Sequence, residues 1–299
     1  MASPQFEKLV NIIRSNKRPP GDYPVEKLRA GMETTSLPAG DDVTAVAVEA
    51  GGVPAEWVET PGADPGQVVL YLHGGGFVMG SPVTHRKLAG DISRASGARV
   101  LLLDYRLAPE HPTPAATDDG VQAYRWLLAE GIEPGSVALG GDSAGGGLTI
   151  AVLLALRDAG DPMPAAAVCI SPWVDMTGEA ASITTRAERD PMVGLGDLAR
   201  FTDWYLAGAD PRASSPAHAD LRDLPPLLIH VGDEEILLDD SVLLAERATA
   251  AGVDATLEVW PEMFHVWHVF AGRVPESTAA VERVGAFLQA QLGRAPADR

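Results

Sequence analysis

The stretch that decides the fold is Ser136-Val137-Ala138-Leu139-Gly140-Gly141-Asp142-Ser143-Ala144-Gly145, followed by the apolar run 148–156. Its first residues are apolar and read as a buried strand, and 148–156 reads as a buried helix. Between them, Gly141-Asp142-Ser143-Ala144-Gly145 has to turn the chain sharply. A serine hydroxyl becomes a useful nucleophile when it is held clear of the backbone and offered to a base, and a tight strand-to-helix turn does both. Gly141 and Gly145 flank Ser143 where a Cβ would collide with the facing strand or helix. The helix that follows points its free N–H groups at the reacting centre.

Outward from this turn, short apolar strands alternate with helical stretches from Gln67 onward. The strands fall at 68–72, 100–103, 137–139, 168–170, 227–231 and 256–259, and the helices at 87–95, 115–129, 145–159, 241–251 and 278–291. Such alternation predicts an α/β fold with a largely parallel sheet wrapped in helices. Ahead of it, 42–48 and 53–58 flank Gly51-Gly52 and read as an antiparallel hairpin at a sheet edge. Residues 1–35 carry Phe6, Leu9, Val10, Ile12 and Ile13 at helical spacing, a break at Pro19-Pro20-Gly21, then Val25 and Leu28 in a second short helix.

The segment 177–216 breaks the rhythm. It is polar at first and then sets Leu198, Phe201, Trp204, Tyr205 and Leu206 in a helical arrangement. Excursions this long are usually functional or disordered, and the segment reads as part of a cap, the alternative being an ordinary long surface excursion. The expected organisation is therefore N-terminal helices over 1–40 forming part of a cap, a catalytic domain over 41–299, and a cap insertion over 177–216 within it. Phe6, Met192, Phe201, Trp204 and Tyr205 are apolar side chains that would either line a pocket there or pack as core.

With 299 residues, 46% of them hydrophobic, the chain can bury one large core. No apolar stretch reaches the ~20 residues that cross a bilayer, and the N-terminus lacks the apolar region of a secretion signal. A cytoplasmic protein without a membrane span is expected. Cys169 is the single cysteine, which excludes an intrachain disulfide, and its apolar surroundings make it a small buried hydrophobe. The net charge of −18 works against nucleic acid or anionic membrane as a partner.

At the end of the strand 68–72 stands His73-Gly74-Gly75-Gly76-Phe77. Consecutive glycines let main-chain N–H groups approach a ligand, and for acyl transfer that ligand is the oxyanion of a tetrahedral intermediate. Gly75 and Gly76, with Ala144 after the serine, can supply the donors. Asp104-Tyr105-Arg106-Leu107-Ala108-Pro109-Glu110-His111-Pro112 reads as an ion-pair-braced turn that positions this loop. A base must come from downstream of Ser143, where His218, His230, His265 and His268 are available. His265 follows a strand in Trp260-Pro261-Glu262-Met263-Phe264-His265 and can reach the carboxyl edge of the sheet, so it is the expected base. His268 is then structural, because a pair at this spacing lacks the further ligands of a metal site. The acid that orients the imidazole should follow the strand 227–231, where Asp233, Glu234 and Glu235 all stand, and spacing does not choose among them.

In order along the chain, HGGGF at 73–77, DYRLAPEHP at 104–112, GDSAGG at 141–146, SPWVD at 171–175 and Phe264-His265 resemble the hormone-sensitive-lipase-like carboxylesterases of the α/β-hydrolases, the bacterial family IV type with GDSAG. The similarity extends over roughly residues 65–295. It implies a mostly parallel sheet with antiparallel N-terminal strands, helices on both faces, a helical cap, no cofactor or metal, and hydrolysis of small-molecule esters with short to medium acyl chains. It puts the nucleophile on Ser143, the oxyanion donors on Gly75, Gly76 and Ala144, and the base on His265. The family's DPLxD pattern aligns best with Glu235-Ile236-Leu237-Leu238-Asp239, which favours Glu235 over Asp233 and sets glutamate where aspartate is commoner. The family often dimerises, so the resemblance allows a homodimer through an edge strand near residues 253–260. Two other activities share the scaffold: amide hydrolysis or deacetylation by the same triad, and ligand binding without catalysis, as in the plant gibberellin receptor, which has lost the histidine that stands here as His265.

Overall fold

A parallel sheet covered by helices leaves no wet face, so its strands are apolar on both sides, and that is how the runs noted above come to be central strands. The structure, a computed structural model, describes residues 2–16 and 21–293. It opens with helices α1 (Pro4–Ser15) and α2 (Val25–Thr35). Pro19 and Pro20 of the expected break lie outside the described residues. The hairpin around Gly51-Gly52 is β1 (Thr44–Ala50) and β2 (Val53–Glu59). There follow β3 (Asp64–Leu72), α3 (Pro82–Ser96), β4 (Ala98–Leu103), α4 (Ala115–Ala129), β5 (Val137–Asp142), α5 (Ala144–Ala159) and β6 (Ala166–Ile170). The segment 177–216 holds a short α6 (Ala181–Thr185) and α7 (Leu195–Leu206), and the chain closes with β7 (Leu227–Gly232), α8 (Leu238–Ala250), β8 (Ala255–Trp260) and α9 (Pro275–Gln291).

The strand order is β1-β2-β4-β3-β5-β6-β7-β8. β1 and β2 pair antiparallel, as do β2 and β4, and the remaining pairings are parallel. This is the α/β-hydrolase sheet. One face packs on α3 and α9 through Leu88, Ile92, Val281, Val284 and Leu288. The other packs on α4, α5 and α8 through Tyr124, Leu127, Leu148, Leu153 and Leu244. A third, smaller cluster joins Phe6 of α1 to Met263, Phe264 and Trp267. Among the described residues no helix is long and apolar enough to cross a membrane.

Because β3, β5, β6, β7 and β8 run parallel, their carboxyl ends share one edge of the sheet, the edge where ligands bind in open α/β sheets. His73–Phe77 leaves from β3, Ser143 from β5, Ser171 from β6, Asp233–Glu235 from β7 and Pro261–His265 from β8. The topology thus gathers five segments that are far apart in sequence.

Candidate active site

Ser143 sits at the turn from β5 into α5 with φ 54° and ψ −124°, in the sparsely populated positive-φ region. Its surroundings over-determine that conformation. The Ser143 N–H donates to the Ile170 carbonyl at 2.8 Å, and its own carbonyl accepts from Trp173 at 2.9 Å and Gly147 at 3.1 Å. A Cβ on Gly145 would strike the Leu72 carbonyl, and one on Gly141 would strike the Gly145 carbonyl. The collision expected from sequence is therefore with main-chain atoms that cannot swing aside. The helix begins at Ala144, one residue before the expected 145.

The glycine loop lies against this turn. The Asp142 carboxylate, buried next to the serine, accepts from Gly74 N–H at 3.2 Å and from the Tyr71 hydroxyl at 2.9 Å, with His85 Nε2 at 3.4 Å. Burial works against its charge, yet His85, Tyr71 and His73 outweigh that and hold its pKa below the usual value. Gly74 N–H is thereby engaged. Among the described residues, the N–H groups of Gly75 and Gly76 make no turn or loop hydrogen bond to the main chain, and Ala144 is the first residue of its helix, where N–H groups have no intrahelical partner. All three expected donors are thus available at the same edge. Gly75 and Gly76 have φ +123° and +65°, and a Cβ on Gly76 would enter the Phe201 ring of α7.

His73 is buried, which pulls its pKa down to about 3, and its ring stacks with Tyr105 at 4.3 Å and with His85 at 5.3 Å, centroid to centroid. The brace on the loop is ionic, as expected of the 104–112 turn, but its partners lie outside that turn. Arg106 pairs with Asp119 of α4 at 2.7 Å. Glu110 pairs with Arg29 of α2 at 2.7 Å, and the same guanidinium donates to the carbonyls of Val78 at 2.8 Å and Ala108 at 3.0 Å. His111 is exposed.

The histidines downstream of Ser143 differ in their partners. His265 Nδ1 lies 2.8 Å from Glu235 Oε2, with the carboxylate fully buried. Desolvation opposes a charged imidazole, but the hydrogen bond and charge of Glu235, helped by Asp190 and Asp142, raise the His265 pKa above its usual value. Asp233 is engaged elsewhere, accepting from Glu262 N–H at 2.6 Å, and Glu234 pairs with Arg189. Of the three acids, only Glu235 is hydrogen-bonded to His265. His268 and His230 bond to each other at 3.0 Å, and burial lowers both pKa values. His218 is 3.2 Å from Asp175. Among the described residues no cluster of three or more His, Cys, Asp or Glu side chains could hold a metal. Burial pushes the Cys169 thiol up to about 12, which leaves it inert.

Three residues escaped the sequence reading. His85 sits in the polar start of α3, where no pattern marks it. Asp190 is buried and accepts from Ile236 N–H at 3.2 Å and Met192 N–H at 2.8 Å, tying the insertion to the residue after Glu235. Ser171 opens the SPWVD string and touches Glu235 directly.

A family model described as "alpha/beta hydrolase fold" matches residues 69–269. An acetyl-hydrolase of Streptomyces hygroscopicus is 48% identical across 98% of this chain and 99% of its own. The carboxylesterase/phospholipase LipF of Mycobacterium tuberculosis is 37% identical across 79% of this chain and 66% of its own. Among solved structures, EstE5 soaked with p-nitrophenyl butyrate superposes with a TM-score of 0.94 at 53% identity, covering 97% of this chain and 99% of that one. An esterase described as from the bacterial hormone-sensitive lipase family gives 0.94 at 50% identity, covering 98% and 100%. Fold and relatives together make this a carboxylic ester hydrolase. Within that class, the chain belongs to the hormone-sensitive-lipase-like esterases of the α/β-hydrolase fold.

Proposed function

We propose that this enzyme hydrolyses esters of short to medium acyl chains through an acyl-enzyme on Ser143, with His265 as base, Glu235 as its acid partner, and Gly75, Gly76 and Ala144 as oxyanion donors. The observation that carries the reading is the buried 2.8 Å bond between His265 Nδ1 and Glu235 Oε2, at the edge where Ser143 is displayed. With Nδ1 occupied, Nε2 is left to take the Ser143 proton as Oγ attacks the ester carbonyl. The carbonyl oxygen becomes an oxyanion held by the three N–H groups. As the intermediate collapses, the imidazolium gives its proton to the departing alcohol. Water, deprotonated by the same histidine, then attacks the acyl-enzyme and returns Ser143.

The helices of residues 1–40 and the insertion over 177–216 act as the cap in this reading. Support comes from their contacts. Phe201 lies against Gly76, Tyr205 stacks on Phe77 at 3.9 Å, and Phe6 stacks on Phe264 at 5.1 Å. Aromatic crowding at the oxyanion loop suits a short acyl group, as do the name acetyl-hydrolase on one relative and the butyrate ester soaked into another. A chain-length series of p-nitrophenyl esters, run beside labelling by a serine-directed phosphonate, tests this. Activity should peak among short chains and one label should map to Ser143. A label elsewhere, or a preference for long chains, would contradict it.

A further inference from the structure

Ser171 is fully buried at the carboxyl end of β6, with φ 47°. Its N–H donates to the His230 carbonyl on β7 at 2.7 Å, which fixes the residue between two strands. Its hydroxyl donates to Glu235 Oε1 at 2.8 Å and accepts from Val266 N–H at 3.1 Å. Gly232 N–H adds a second donor to Oε1 at 2.6 Å. One hydroxyl thus joins the loop after β7, which carries the acid, to the residue that follows His265.

A glutamate needs such a clamp more than an aspartate would. Its extra methylene adds a torsion, and Oε2 faces the imidazole only if the carboxylate plane is fixed. Two donors on Oε1 fix that plane. The other ionisable groups that act on the imidazole are Asp190 from the insertion, Asp142 from the end of β5, and His268 on the histidine's own loop.

We propose that Ser171 is a positioning residue for the acid–base pair, its hydroxyl holding the Glu235 carboxylate and the His265 loop in the register that proton transfer requires. The inference rests on the triad reading above. Ser171→Ala and Ser171→Gly remove the hydroxyl, and Ser171→Cys keeps a weaker donor of similar shape. In the full-length enzyme, Ser171→Ala should lower kcat on a p-nitrophenyl ester roughly 10-fold or more with KM nearly unchanged, the loss expected for a hydrogen bond to a charged group. The acid limb of kcat/KM should move to lower pH, since a carboxylate no longer held against the imidazole favours its charged form less. Ser171→Cys should fall between. In a Glu235→Gln background, Ser171→Ala should cost little more, because the hydroxyl acts through the carboxylate.

An unchanged kcat and pH profile in Ser171→Ala, or the same fold-loss in both backgrounds, overturns the proposal. If Ser171→Ala does not fold, the Cys variant decides alone, and wild-type rate and pH limb there overturn it equally. Ser143→Ala and His265→Ala serve as controls. Turnover surviving in either of them defeats the triad itself, whereas dead controls beside a normal Ser171→Ala defeat only the clamp.

Discussion

Glu235 and Asp233 stand two residues apart on one loop, and their different directions decide which can serve His265. Glu235 points into the buried edge and meets the imidazole, while Asp233 turns back to cap the Glu262 N–H. Glu235→Ala should therefore lower kcat by about 10⁴-fold, the loss seen when a triad acid is removed. Asp233→Asn should stay within about twofold of wild type, since a surface exchange that leaves the site's geometry intact has small effects. Ester hydrolysis rates of the two variants check this, and the reverse order would move the acid role to Asp233. A second expectation concerns pH. The His265 pKa is raised, chiefly by Glu235 acting against burial, and the base works only when unprotonated. The acid limb of the kcat/KM profile should accordingly fall at a pH above the pKa of an ordinary imidazole, and Glu235→Gln should shift the limb downward. At this scale Ser143, His265 and the glycines were legible because each sits in a short string after a strand. Ser171, His85 and Asp190 were not, because their contacts join segments 64, 57 and 46 residues apart, and no local pattern records them.

The strands were the most readable elements. β5, β6 and β7 are buried along their whole length, so burial itself wrote largely apolar runs, broken only by His230 in β7 and Asp142 at the end of β5. Where elements meet solvent the reading slipped. β3 begins at Asp64, not 68, because Pro65 and Gly66 look like breakers, yet this exposed start only pairs loosely through a register shift against Ala98. α3 begins at Pro82, five residues before the expected 87, behind a Ser81–Thr84 capping box that its polar first turn disguises. α8 begins at Leu238 and thereby brings in Asp240, whose Oδ2 accepts from Val174 and Asp175 N–H at 3.0 and 2.9 Å. Burial pushes this carboxyl up to about 7, above its unfolded value near 3.8. Between those two values the folded state holds a proton that the unfolded chain has released, so stability falls as pH rises through the window. Asp240→Asn removes that penalty. It should raise Tm at about pH 8 by roughly 2–4 °C, the shift that about 1 kcal/mol produces in a large domain, with the gain fading towards about pH 4. Thermal melts across pH check this, and a gain that ignores pH would contradict it.

Across the whole molecule, two large cores on the faces of one sheet hold the edge rigid, and the third cluster ties α1 to the loop that carries His265. Phe6 is its key, buried to 1% exposure and stacked on Phe264. Phe6→Ala should cost about 3–5 kcal/mol of stability, the usual loss for a buried phenylalanine, and should lower kcat by loosening the neighbour of His265. Denaturant titration reads the first effect and ester turnover the second. A variant as stable and active as wild type would mean that α1 merely rests on the surface. The N-terminal helices were legible as amphipathic, but what they cover was not, since Phe6 and Phe264 lie at opposite ends of the chain.

The account stands on Ser143 as the attacking group, and the most direct measurement is the initial rate of p-nitrophenyl butyrate hydrolysis by wild-type enzyme beside Ser143→Ala. The prediction is ready turnover by the wild type and a variant, still folded by circular dichroism, that falls to near the uncatalysed rate. A folded Ser143→Ala that hydrolyses the ester at a rate comparable to wild type would contradict it.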